Sequence, residues 1–132
     1  MCIRDRPSLN PDGVAVHPIT RHRGEFLLRY TSFVESMAPV FSREALRACM
    51  PSFRGSISGS GLDNIWPKLI GEPRDAIAVV DKVVILHTRP TGANYSLARA
   101  VGEGNEIQRR YGSPSKLVEY GAIFNSPVAP RT

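Results

Sequence analysis

Cysteine is nearly missing from this sequence: of 132 residues only Cys2 and Cys49 are cysteines. A disulfide framework is thereby excluded, and Cys49 reads most simply as a small apolar residue on a helix face. Long apolar runs are missing too. The longest, residues 76–80 and 83–86, fall far short of the roughly 20 residues that span a bilayer. Lysine is scarce, confined to Lys68, Lys82 and Lys116 among 17 basic residues. There is no basic stripe interleaved with aromatic residues, so a nucleic-acid surface is not indicated. Internal repeats and low-complexity tracts are absent as well. What remains, 42% hydrophobic and 22% charged residues in a chain of 132, is the composition and length of one ordinary globular domain or a part of a larger one. A reducing, cytoplasmic setting is the expected one.

Residues 1–6, Met-Cys-Ile-Arg-Asp-Arg, match the translation of a transposon-end sequencing adaptor, ATG TGT ATA AGA GAC AG. They are expected to be an artefactual segment and are set aside from fold reasoning, as any scar would be. The native sequence is then expected to begin near Pro7, in mid-domain, with residues 125–132 a fraying tail. The formal charge of +5 rests on arginine, whose planar fork suits phosphate and carboxylate groups. A GC-rich genome produces the same bias, but anionic small ligands stay open as partners.

Along the chain, residues 7–24 carry three prolines and little periodicity, and read as loop with one helical turn near residues 14–16. His17 and His22 lie there; two such histidines can ligate a metal, though solvent-facing histidines are commoner. Residues 33–37 and 40–41 are strand-like around Pro39. Ser42 is placed to cap a helix over 43–50, with Ala45, Leu46 and Cys49 as its apolar stripe. Residues 62–70 are helical in pattern but interrupted by Pro67, which predicts a kink or a restart. Residues 77–80 and 83–86 are β-branched strands around an Asp81-Lys82 break. Residues 97–111 predict a helix in two pieces because Gly102 and Gly104 lie inside it, and residues 117–124 a weak last strand.

The segment Phe53-Arg-Gly-Ser-Ile-Ser-Gly-Ser-Gly-Leu-Asp-Asn-Ile-Trp66 is the most suggestive. A glycine-rich loop delivers one carboxylate, Asp63, to the start of an apolar helical turn. Downstream, Val83-Val-Ile-Leu86 ends in His87, followed by Thr88, Arg89 and Pro90. A carboxylate at a loop mouth and an imidazole at a strand end are the makings of a polar site at the rim of a sheet. Glycine tolerates backbone angles that let a chain approach a ligand closely. Equally, Gly and Ser are ordinary loop material and Asp an ordinary helix cap. Glu35, between Val34 and Ser36, is either a buried site residue or solvent-facing.

Three segments together carry a resemblance. Arg29-Tyr-Thr-Ser-Phe-Val-Glu-Ser-Met-Ala-Pro-Val-Phe-Ser42, Gly59-Ser-Gly-Leu-Asp-Asn-Ile-Trp-Pro-Lys68, and Ile77-Ala-Val-Val-Asp81 with His87-Thr-Arg-Pro90, resemble in order the core of domain-of-unknown-function family seven-hundred-seven. The resemblance covers roughly residues 7–111. That family looks like glycosyltransferases of the GT-A fold, which implies an α/β fold: residues 7–124 would be the C-terminal part of a GT-A-like α/β/α sandwich, with a mixed sheet and short helices. The implied partners are a sugar nucleotide and a carbohydrate acceptor. The implied cofactor is a divalent metal, Mn²⁺ or Mg²⁺, in the full-length protein, with none expected to bind tightly to residues 7–132 alone. The resemblance further implies Asp63 as catalytic base, His87 as metal ligand, and Gly59, Gly61, Glu35 and Arg89 on the substrate; Trp66 either stacks on a sugar ring there or, as is commoner for a Trp at helical spacing, packs in the core. The Asp-x-Asp that holds the metal in GT-A enzymes is absent from this sequence, and Leu62 stands where the usual motif has Glu. A non-catalytic carbohydrate- or partner-binding module on the same scaffold is the alternative.

Overall fold

A computed structural model of the chain describes residues 4–14, 17–90 and 92–126. Five strands form one mixed sheet: β1 Arg4–Leu9, β2 Phe26–Thr31, β3 Val40–Phe41, β4 Ile77–Ile85 and β5 Glu119–Phe124, in the order β3-β1-β4-β2-β5. β1 and β4 are parallel, and the other neighbours are antiparallel. A parallel pair needs a crossover. Here the chain between β1 and β4 supplies β2, β3 and two helices, α1 Arg43–Phe53 and α2 Leu62–Leu69, while α3 Leu97–Tyr111 joins β4 to β5. The fold class is α/β.

Each helix follows from its own residues. Ser42 caps α1, its Oγ accepting the Ala45 N–H at 3.2 Å, and Glu44 sits in the first turn, where the helix dipole favours an anion. Ala45, Cys49 and Ser52 form its buried stripe. Leu46, expected in that stripe, is instead partly exposed. In α2, Leu62, Ile65 and Trp66 turn inward at the i, i+3, i+4 spacing. α3 buries Ala100, Gly104 and Ile107. These faces meet Val34, after β2, and Ile77, on β4, in one apolar core, with Phe41, Leu69, Ile70 and Tyr111 packed around it.

Several local expectations are corrected. Residues 7–9 are strand, not loop, as part of β1, and residues 15 and 16 of the expected helical turn lie outside the described residues. β1 also takes in Arg4, Asp5 and Arg6; the pairing fixes where these residues sit, not where they come from. Pro7 is tolerated inside a sheet because the register breaks beside it: Pro7 stands opposite Val80, but Ser8 opposite Val84. The first strand after the loop is Phe26–Thr31, whereas residues 33–37 are irregular. α2 runs unbroken through Pro67, and α1 through Pro51. α3 is one helix despite Gly102 and Gly104.

β4 is likewise one strand rather than two, because Asp81 is compensated where it sits. Its carboxylate accepts Arg29 Nε at 2.7 Å and Arg29 Nη2 at 3.1 Å, and the Arg23 N–H at 2.9 Å. Arg29 spends its remaining donors on the carbonyls of Ile19 and Arg21 and on Glu119. Both partners are fully buried, a placement that charges reach only when paired and fully hydrogen-bonded. The network also ties the 3-10 turn Pro18–Thr20 and the segment after it to the sheet.

Candidate active site

A cleft of about 460 Å³ opens where three segments converge: residues 35–37 after β2, the glycine loop before α2, and His87, Arg89, Pro90 and residues 93–95 between β4 and α3. Gly61 turns the chain into α2 with φ of 84°, a left-handed angle that favours glycine. It also lies flat on α3: a Cβ there would stand 2.9 Å from the Gly104 Cα. Gly59 has φ of 78° but open space around it. Gly61→Ala is therefore expected to destabilise by more than the roughly 1–2 kcal/mol that a left-handed backbone alone costs an L-residue, and Gly59→Ala by about that amount only. Urea midpoints of the two variants, compared with the parent chain, check this; equal losses would deny the close packing at Gly61.

Asp63 occupies the first turn of α2 and lines the cleft. Burial pushes its carboxyl above the ordinary carboxylate range. His17 and the backbone N–H groups of Asn64 and Asp63 pull the other way, while the charge of Glu35 adds to the push. The folded chain thus holds this proton to higher pH than the unfolded chain does. The stability it contributes is complete below the unfolded value near 4 and is lost as pH rises through the folded value. Asp63→Asn is accordingly expected to raise the melting temperature at neutral pH, with the gain vanishing in acid below the ordinary Asp range. A neutral-pH melting temperature unchanged or lowered would contradict the shift.

Glu35 is buried at the cleft wall and ion-paired with the fully buried Arg6. His17 also lines the cleft, its ring tilted on Phe33 at 4.6 Å between centroids. His87 Nδ1 lies 2.9 Å from the Val14 carbonyl. A carbonyl only accepts, so Nδ1 carries a proton, and in the neutral ring the lone pair is then on Nε2. That is the arrangement of a histidine oriented by backbone, and also that of a metal ligand with its outer hydrogen bond in place. Arg89 borders the opening, and Asn94, with its amide oxygen turned to the guanidinium, accepts from Arg89 Nη1 at 2.8 Å.

Asp63, Glu35, Gly59, Gly61, His87 and Arg89 thus line one cleft. Trp66 does not: of its two expected places, the sugar ring is corrected and the core is the one it takes. It is 2% exposed, its Nε1 donates to Ser52 Oγ at 3.2 Å, and Phe41 and Phe53 flank its ring. Three positions after Asp63, it falls on the core side of α2. The donor types for a metal are present, but among the described residues no three His, Cys, Asp or Glu side chains come close enough to hold one.

Residues 27–124 match the family described as Protein of unknown function (DUF707). The chain belongs to that family. Neither a curated protein nor a solved structure matches the chain. The matched span holds Glu35, the glycine loop, Asp63, His87 and Arg89, while His17 precedes it. Among the described residues, no helix of this family member is long and apolar enough to cross a membrane.

Among the residues of the cleft wall that the sequence reading does not single out are Asn64, Asn94, Tyr95 and Ser58. Asn64 adjoins Asp63, and Tyr95 stands one residue before the Ser96 cap of α3; an aromatic side chain in a polar turn was the available signal. Ser58 carries no such signal, since serine is ordinary loop material.

Proposed function

We propose that the cleft is the acceptor side of a glycosyl-transfer site in which Asp63 is the general base. An acceptor hydroxyl attacks the anomeric carbon of a sugar nucleotide, the bond from that carbon to the diphosphate oxygen breaks, and the hydroxyl proton passes to Asp63. The nucleoside diphosphate leaves with the bonding electrons. A base does this best when its pKa is lifted toward the working pH, because the carboxylate then grips the proton more strongly as it forms. The observation that carries the reading is Asp63 itself, a carboxyl raised by burial at the wall of the cleft.

The surroundings suit a sugar. Carboxylates and amides pair with vicinal hydroxyls, and the Asn64 and Asn94 side chains border the cleft beside Glu35. Arg89, exposed at the opening, can meet the negative charge of a leaving diphosphate. A divalent ion would supply further charge neutralisation there. Since the described residues do not complete its site, the steps above belong to the chain's own side chains, with His87 Nε2 the group that would join such an ion. Localisation in the cytoplasm is part of the same proposal.

The test is a full-length family member carrying these residues, incubated with sugar nucleotides and carbohydrate acceptors. Transfer product supports the reading. Carbohydrate binding with no turnover would favour the non-catalytic module instead.

A further inference from the structure

On α3, Glu103 is joined to the cleft loop by four hydrogen bonds. Its Oε1 accepts the Ile57 N–H at 3.0 Å. Its Oε2 accepts the Ser58 N–H at 2.9 Å, Ser58 Oγ at 2.6 Å and Ser56 Oγ at 3.4 Å. The two hydroxyls pass the pull onward, since Ser56 Oγ accepts the Gly59 N–H at 3.0 Å and Ser58 Oγ the Ser60 N–H at 3.2 Å. Four consecutive backbone N–H groups, residues 57–60, are therefore organised by one carboxylate, two directly and two through hydroxyls whose own protons point at it. Only an ionised carboxylate offers acceptor capacity on both oxygens with no competing hydrogen. Next along the helix, Gly104 gives the floor on which Gly61 rests, with Ser60 Oγ 3.0 Å from where a Gly104 Cβ would stand.

We infer that Glu103 is a positioning residue: it latches residues 56–60 onto α3 and thereby fixes the cleft wall that shields Asp63. Serine and glycine make a pliant loop that would otherwise sample many shapes, at a large entropic cost to any ligand that needs one of them. The latch removes that freedom before a ligand arrives. The hydrogen bonds of Ser58, first its hydroxyl and then its amide, hold Glu103 below the usual carboxylate range, so the latch is charged and closed at neutral pH. Its consequence for catalysis rests on the reading of Asp63 as base; the latch itself does not.

The experiment uses the whole chain and no ligand. Amide hydrogen exchange at residues 57–60 and a carboxyl NMR titration of Asp63 are measured in the parent, Glu103→Gln, Glu103→Asp and Ser58→Ala. Glutamine replaces one acceptor oxygen with an NH₂ that faces backbone donors. Exchange at these four amides should rise several-fold in Glu103→Gln, and the Asp63 midpoint should fall toward the ordinary carboxylate value. Exchange in β2 and β4 should stay as in the parent. Glu103→Asp, which keeps the charge on a shorter arm, should recover part of both effects. Ser58→Ala, which leaves α3 untouched, should reproduce them in weaker form, so a Glu103→Gln chain that fails to fold does not end the test. Unchanged exchange in both variants, or faster exchange with an unmoved Asp63 midpoint, overturns the inference. An ordinary Asp63 midpoint already in the parent would instead count against Asp63 as base, and the exchange rates would still judge the latch.

Discussion

Exchanging Asp63 for asparagine in a full-length member of the family is expected to cut turnover by about a hundred- to ten-thousandfold, the usual cost of losing a general base. The Michaelis constant should change little. Asparagine keeps the shape and one acceptor oxygen, so a bound acceptor still finds its contacts, but it cannot take the proton. An interaction needed only as the hydroxyl attacks appears in turnover and not in ground-state binding. The pH profile supplies a second reading of the same group. The base must be ionised, and burial holds the Asp63 proton to higher pH than an ordinary Asp. The parent's activity should therefore fall on acidification at a pH above the ordinary carboxylate range. Taken with the stability gain expected of the same substitution, this describes a site that gives up stability for function. Steady-state kinetics of the two proteins across pH check it; unchanged turnover would reassign Asp63 to the first turn of α2 and nothing more.

Asp81→Ala is expected to be the most damaging single change to the fold, by about 3–5 kcal/mol. It removes both carboxylate oxygens from Arg29 and one acceptor from the Arg23 N–H. The guanidinium, 1% exposed, is then left with backbone carbonyls and the half-exposed Glu119 as its partners. Much of that loss comes from stranding the charge rather than from the worth of the pair. Replacing both partners together, as Arg29→Met with Asp81→Val, should consequently cost less than Asp81→Ala alone. Chemical denaturation of the three variants makes the comparison. A double variant that loses the sum of two large single effects would show that the pair stabilises outright.

The same pair explains why β4 was hard to read as one strand. Asp81 and Lys82 look like a break between two β-branched runs, and only Arg29, 52 positions earlier, makes a buried Asp81 tolerable. β1 was hidden for a related reason: Pro7 argues against an interior strand unless the ladder slips beside it, and that slip belongs to the partner strand. Helix starts were legible because their signals are local. Ser42 caps α1 in the structure as its position before Arg43 suggests. The glycine loop, Asp63, His87 and Arg89 could be picked out because loop mouths and strand ends collect polar side chains. Glu103 could not, since an acidic residue on a helix carries no local mark of the loop it holds some 45 positions away. Trp66 shows the limit from the other side. Nearly one turn after Asp63, it belongs with Leu62 and Ile65 to the buried stripe of α2, while Asp63, at the edge of that stripe, reaches the cleft.

The account turns on whether this cleft receives carbohydrate beside Asp63, and amide NMR of the chain titrated with a series of oligosaccharides asks that directly. Saturable shifts confined to residues 58–64 and 87–95, lost in the Asp63→Asn protein only to the extent that binding itself weakens, are the predicted result. Saturable shifts centred elsewhere, or none at any sugar concentration reached, would contradict it.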